Sequence, residues 1–211
     1  CKLKTQGGTT VYAGSALERL LPASGFERLL QARSELGRLK GLPPGPDLGR
    51  PVADEPVHYL PAHERYAGIV YREGRVRELY PRAHGKKVLV VSALYGVLDA
   101  DDPIRCYQAQ MGEQVPGNGS LKTWWKHRCL GDLVDECILA LRPQSVHDLL
   151  STSYREVLAP WPRASLEQAG ITYTPYTYRR RGSGSQWDRG DQIRKLLLDA
   201  GEEPRREPGS P

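Results

Sequence analysis

Leucines three and four residues apart dominate the first readable stretch. GSALERLLPASGFERLLQARSELGRLKG, residues 14–41, carries Leu17, Leu20, Leu21, Leu29, Leu36 and Leu39 in that rhythm, and predicts two short helices broken at Pro22–Gly25. LPPGPDLGRPVADEP, residues 42–56, reads as a proline-rich linker inside the domain. Residues 63–85 predict a short helix followed by an irregular stretch. KKVLVVSALYG, residues 86–96, is apolar on both faces and ends at glycine, the pattern of an interior strand covered on both sides. LKTWWKHRCLGDLVDECILALRP, residues 121–143, is the best amphipathic helix. QSVHDLLSTSYREVLAPW predicts a second buried strand, a turn and a helix start at Ser151–Ser153, where hydroxyls can cap free backbone N–H groups. ITYTPYTYRRR alternates like a strand, and residues 184–201 give a loop and a last helix stopped by Gly201. Residues 1–200 therefore predict one α/β (α+β) domain, and 201–211 a disordered tail.

The apolar run of residues 86–96 ends in an unusual place. It leads straight into Asp99, Asp101, Asp102, Pro103, Arg105 and Tyr107. In open α/β sheets, ligand sites lie just beyond the carboxyl ends of strands. A second apolar run ends in Ser151 and Tyr154. If the two strands are neighbours, Lys4, Tyr66, Asp102, Tyr107 and Ser151 converge on one cleft. The bland alternative is that the aspartates cap a turn and Tyr107 packs.

Composition narrows the classes only mildly. The chain has 30 Lys and Arg against 25 Asp and Glu, a net charge of +5. No run approaches the roughly 18 apolar residues of a membrane span, and no apolar signal segment is present, so a cytoplasmic protein with no membrane partner is expected. The cysteines, Cys1, Cys106, Cys129 and Cys137, form no CxxC pair. Neither a metal site nor a cofactor is expected. The first residue is not methionine and CKLKT reads as a loop that should follow a strand, so residues are expected to precede Cys1. Basic residues cluster with aromatics and glycines. Lys122, Lys126 and Arg128 flank two tryptophans, and Arg179, Arg180, Arg181 and Arg189 flank a glycine-serine run beside Trp187. Such residues contact phosphate and stack on bases. The alternative is a solvated face with the tryptophans in the core.

At the polar patch the chain resembles the YaaA family of peroxide-stress proteins. The family pattern of Leu-Tyr-Gly-x-Leu, an Asp-x-Ile, a Tyr and a Met-Gly is met by Leu94, Tyr95, Gly96, Leu98, Asp102, Ile104, Tyr107, Met111 and Gly112. CKLKT is similar to the family's N-terminal turn at Lys4 and Thr5, RYAGIVY to its Arg-Tyr-x-Gly-x-Val-Tyr, and DLLSTSY to its Asn-Leu-Ala-Ser-x-Glu-Tyr. The departures are Cys1 for a serine, Asp99–Ala100 for Arg-Pro, Gln108 and Gln110 for an arginine and a glutamate, and Ser153 for a glutamate. The resemblance implies a mixed, largely buried β-sheet flanked by helices, with a helix-hairpin-helix-like element. It also implies a basic cleft binding double-stranded DNA and a role in surviving hydrogen peroxide. Thr5, Tyr66, Ser92, Tyr95, Gly96, Asp102, Tyr107, Ser151 and Tyr154 are then the expected cleft residues.

An enzyme processing a nucleobase or nucleotide ligand is the rival class. Cys1 lies beside Lys2 and near Lys4, whose ammonium favours a thiolate. Asp102 can complete an acid/base set with Cys1 and Lys4. A pure interaction protein is the third class. The sequence leaves the choice open, and it is silent on oligomeric state.

Overall fold

The computed structural model describes residues 3–52, 55–161, 163–178 and 182–199. Cys1, Arg179, Arg180, Arg181 and the tail 201–211 lie outside the described residues.

A 3-10 helix, Ala16–Arg19, precedes α1, Ala23–Leu39. The break falls at Pro22, which cannot donate a helical hydrogen bond and so serves as N-cap. Gly25 sits inside the first turn of one long helix, where two short ones were expected. The proline-rich stretch is more than a linker. It contains a second 3-10 helix, Pro46–Leu48, with both Asp47 and Leu48 buried. Strand β1, Tyr59–Pro61, leads into three short helices, α2 (Ala62–Arg65), α3 (Ile69–Glu73) and α4 (Val76–Leu79). Residues 3–9 run antiparallel beside β1 and α2, through bridges of Thr9 to Tyr59 and Lys4 to Tyr66.

The apolar run forms β2, Leu89–Ser92, and it turns back at once into β3, Gly96–Asp99. It is one arm of a hairpin with alternating burial, not an interior strand covered on both faces. Its polar end is therefore a hairpin and the turn that follows it. Strand β4, Pro103–Arg105, pairs antiparallel with β1, and a small hairpin joins β5, Gln114–Val115, to β6, Gly119–Ser120. The long amphipathic segment is split into α5, Leu121–His127, and α6, Leu130–Leu141, by Cys129 at φ 51°. Strand β7, Ser145–Asp148, is mostly exposed and pairs in parallel with β8, Thr172–Pro175. The crossover between them carries α7, Thr152–Arg155, and α8, Ala164–Gln168. Helix α9, Ser183–Leu198, begins directly, with no loop over 184–187.

The result is the expected mixed α/β domain. Among the described residues its strands pair in twos: β1 with β4, β2 with β3, β5 with β6 and β7 with β8. A core of Leu17, Leu29, Leu36, Leu98, Ile104, Trp124, Trp125 and Leu130 welds them together. Trp124 and Trp125 are wholly buried, so the tryptophan pair belongs to the core and not to a base-stacking surface. Helix α9 packs on a second cluster with Val76, Tyr80 and Ala100 through Ile193 and Leu197. Lys86 donates to the carbonyls of Leu196 and Asp199 and fixes its far end. Among the described residues no helix is long and apolar enough to cross a membrane.

Candidate functional site

The N-terminal segment is held in place by an arginine that bonds to carbonyls instead of a carboxylate. Arg65 is wholly buried and donates to the carbonyls of Thr5, Gly7 (3.0 Å), His58 (2.9 Å) and Ile104 (3.2 Å). Four backbone acceptors thus share one guanidinium, which ties residues 5–7 to β1 and β4. Thr5 adds Oγ1 to the Glu64 carbonyl at 2.9 Å and its N–H to the Arg65 carbonyl at 2.8 Å. Lys4, flanked by these bonds, is aimed inward. Its Nζ lies 4.0 Å from the ring centre of Tyr107 and 5.7 Å from that of Tyr66. Burial lowers its pKa to about 8; Cys106 nearby opposes the shift and Arg65 adds to it.

Below Lys4 lies a chain of hydroxyls. Tyr66 and Tyr107 share a hydrogen bond of 2.7 Å, and Tyr107 and Ser92 one of 2.8 Å. The Tyr95 N–H donates to Ser92 Oγ at 3.2 Å. Burial raises Tyr66 to about 12 and Tyr107 well above its ordinary value, so both phenols keep their protons at neutral pH. Of the five residues expected to converge, Lys4, Tyr66 and Tyr107 therefore lie together, with Ser92 beside them.

The cluster continues outward through Tyr71 and Tyr178, which the sequence pattern did not single out, and through Tyr154 and Arg189, which it did. Tyr71 stacks on Tyr66 with ring centres 5.0 Å apart. Burial lowers the Arg189 pKa, and Tyr178, Tyr154 and Tyr71 act on it electrostatically in the opposite direction. Its Nε donates to the Ser185 carbonyl at 3.1 Å, and it forms no ion pair with a carboxylate among the described residues. The Tyr178 hydroxyl is buried and has no hydrogen-bond partner among the described residues. Two glycines set this juxtaposition. A Cβ on Gly190 would stand 2.4 Å from Glu73 Cβ, and one on Gly74 would stand 2.2 Å from Ile193 Cγ2. Glycine at these two contacts lets α9 lie directly against the end of α3. Tyr71 closes the RYAGIVY motif, and that position is the one sign of it in the sequence.

The other predicted site residues make contacts of their own. Asp102 is buried, and its carboxylate accepts from Ser15 Oγ (2.8 Å), Ala16 N (2.6 Å) and Asp99 N (2.9 Å). It caps the first 3-10 helix and the turn after β3. Tyr95 is wholly buried and donates to Asp47 at 2.6 Å, while Gly96 packs on Trp125. Ser151 is the N-cap residue of α7, without a side-chain capping bond; its hydroxyl meets Ser153 Oγ at 3.2 Å. Arg128 lies against the Trp124 ring and pairs with Glu35 at 2.7 Å, so its charge is engaged on the α1 side. Lys122 and Lys126 stand on α5, with Lys122 paired to Glu156 at 2.9 Å. Glu156 follows α7 directly, so α5 adjoins the segment that carries Tyr154.

Residues 46–183, well over half of the chain, match the family described as peroxide stress protein YaaA. A UPF0246 protein of Salinispora tropica is 30% identical over 109 residues, covering 49% of this chain and 39% of that protein. A UPF0246 protein of Ruegeria is 29% identical over 104 residues, 44% of this chain and 41% of its own length. A UPF0246 protein of Corynebacterium glutamicum is 29% identical over 127 residues, 60% of this chain and 50% of its own length. The matched regions thus span about half or less of these curated relatives.

Proposed function

Since the chain belongs to the YaaA family of peroxide stress proteins, we propose that it binds double-stranded DNA as part of a response to hydrogen peroxide. The observation that carries the reading is Arg189. It is a half-buried guanidinium with no carboxylate partner among the described residues, coupled electrostatically to Tyr178, Tyr154 and Tyr71. A phosphate oxygen would satisfy this charge. Trp187, on the same helix, is 47% exposed and available to a base or sugar. Lys122 and Lys126 extend the surface past Tyr154, and Arg179, Arg180 and Arg181 immediately precede α9 in sequence. The pair between Lys122 and Glu156 is solvent-exposed and gives way readily to a phosphate. The second reading, an enzyme acting on a nucleobase or nucleotide, draws on Lys4 above the Tyr66–Tyr107–Ser92 chain.

The test is salt-dependent binding of a duplex followed by fluorescence anisotropy. Replacing Arg189, Lys122 and Lys126 by alanine is expected to weaken binding of every sequence alike. Each cation removed from a phosphate should flatten the plot of log affinity against log salt by about 0.9. An unchanged slope in the triple variant places the binding surface elsewhere.

A further inference from the structure

We propose that Lys4 forms an imine with the aldehyde of abasic sites in DNA, so that the protein captures damaged duplex covalently and reversibly. The inference rests on the DNA-binding reading and names the lesion that the same surface would take. Lys4 stands at the inner end of that surface. Tyr66, whose ring centre lies 5.7 Å from the Lys4 Nζ, stacks on Tyr71, and Tyr71 is coupled electrostatically to Arg189. Lys4, Tyr66, Tyr71 and Arg189 thus form one linked series, and a duplex held at its Arg189 end is the ligand assigned to the amine at the other. An intact duplex presents no carbonyl that an amine can attack readily. A sugar that has lost its base does, because its ring opens to a free aldehyde. Radicals derived from peroxide generate such lesions.

The position suits a nucleophile better than a plain phosphate contact. A surface lysine that meets phosphate works as a flexible, hydrated ammonium. Lys4 has the opposite setting. Its backbone is bridged to Tyr66, with the Ala67 N–H donating to the Leu3 carbonyl at 3.0 Å and the Thr5 N–H to the Arg65 carbonyl at 2.8 Å. Its side chain is half-buried against two aromatic rings. With a pKa of about 8, the neutral, nucleophilic amine is about 300-fold more abundant at pH 7 than for an ordinary lysine. The hydroxyl chain supplies the proton donor. Ser92, Tyr107 and Tyr66 carry three protons and use two of them in their mutual bonds, so one O–H is left over.

The step balances without a cofactor. The neutral Nζ attacks the aldehyde carbon, a C–N bond forms, and the carbonyl electron pair passes to oxygen, which takes a proton. The carbinolamine then loses that oxygen as water and leaves a protonated imine. Water reverses the sequence and frees Lys4.

The experiment is reductive trapping. A duplex with one abasic site is incubated with the protein and sodium cyanoborohydride, and adducts are resolved on a denaturing gel and mapped by mass spectrometry. In parallel, affinity is measured for the same duplex carrying a tetrahydrofuran analogue, which has no aldehyde. The expected result is an adduct on Lys4 whose formation rises with pH through about 8, as the ammonium loses its proton. Lys4→Arg keeps the charge and removes the nucleophile, so the adduct should fall by about 100-fold while affinity for the tetrahydrofuran duplex changes by a few-fold at most. Binding of that duplex without an adduct overturns this inference alone. An adduct mapped to another amine and undiminished in Lys4→Arg does the same. A protein that binds neither duplex overturns the DNA-binding reading and this inference together.

Discussion

Asp47→Ala is expected to lower stability by about 3–5 kcal/mol, because it strands a buried guanidinium. Asp47 and Arg105 are 1% and 3% exposed. Arg105 meets the carboxylate with Nε to Oδ2 at 2.8 Å and Nη2 to Oδ1 at 2.5 Å. Two phenols complete the shell, Tyr95 at 2.6 Å and Tyr59 at 3.2 Å. Burial, and then the carboxylate beside it, hold Tyr95 well above its ordinary pKa and push Tyr59 to about 12, so both remain donors at neutral pH. Removing the carboxylate leaves the Arg105 side chain with the Pro43 carbonyl as its remaining acceptor among the described residues. It also cuts the tie between the proline-rich segment and the β1–β4 pair. Thermal unfolding should shift by roughly 10 °C for a chain of this size. Tyr59→Phe removes a single donor and should cost about 1 kcal/mol. An Asp47→Ala protein that unfolds within a degree or two of the parent would mean that this cluster carries no net stability.

Gly96→Ala is the second large effect, at about 2–5 kcal/mol, the sum of a backbone and a steric part. Gly96 has φ 72°, where an L side chain costs about 1–2 kcal/mol. The added Cβ would stand 2.7 and 2.9 Å from two ring carbons of Trp125 and 3.1 Å from Leu130 Cδ1. The tryptophan has no room to withdraw, since it is wholly buried and its Nε1 donates to the Ala93 carbonyl at 2.9 Å. Overpacking of this kind adds about 1–3 kcal/mol. Urea unfolding should show a lower midpoint at constant slope. In a Trp125→Leu background the steric part is relieved, so the substitution should cost less there, with a coupling of about 0.5–3 kcal/mol. Strict additivity would assign the whole effect to the backbone.

Both sites sit where the sequence was only half readable. The Leu-Tyr-Gly motif marks Tyr95 and Gly96 as special, and the structure shows them turned to the core: one holds Asp47, the other fits against Trp125. Asp47 itself was hidden, because an acid between prolines reads as solvated loop until its partner, 58 residues away, is in view. Asp102 was expected in the cleft, with capping as the alternative, and its contacts with Ser15, Ala16 and Asp99 decide for the cap. Tyr71 showed only as the last residue of the RYAGIVY motif and Tyr178 not at all, because a tyrosine carries no local sign of what its hydroxyl will meet.

Local pattern was enough to reach the family, the α/β class, the positions of most helices and the polar character of residues 92–107. These follow from periodicity, proline and glycine placement and a motif of fixed spacing, all of which act over a few residues. Three features needed the folded chain: the apolar run is a hairpin, Arg65 clamps the N-terminal segment, and Lys4, Tyr66, Tyr107 and Ser92 form one cluster with Arg189 beyond it. The reason is physical. A strand's pairing partner, the acceptors of a buried guanidinium and the desolvation of an amine all depend on which distant residues exclude water around them, and no window of sequence contains that information.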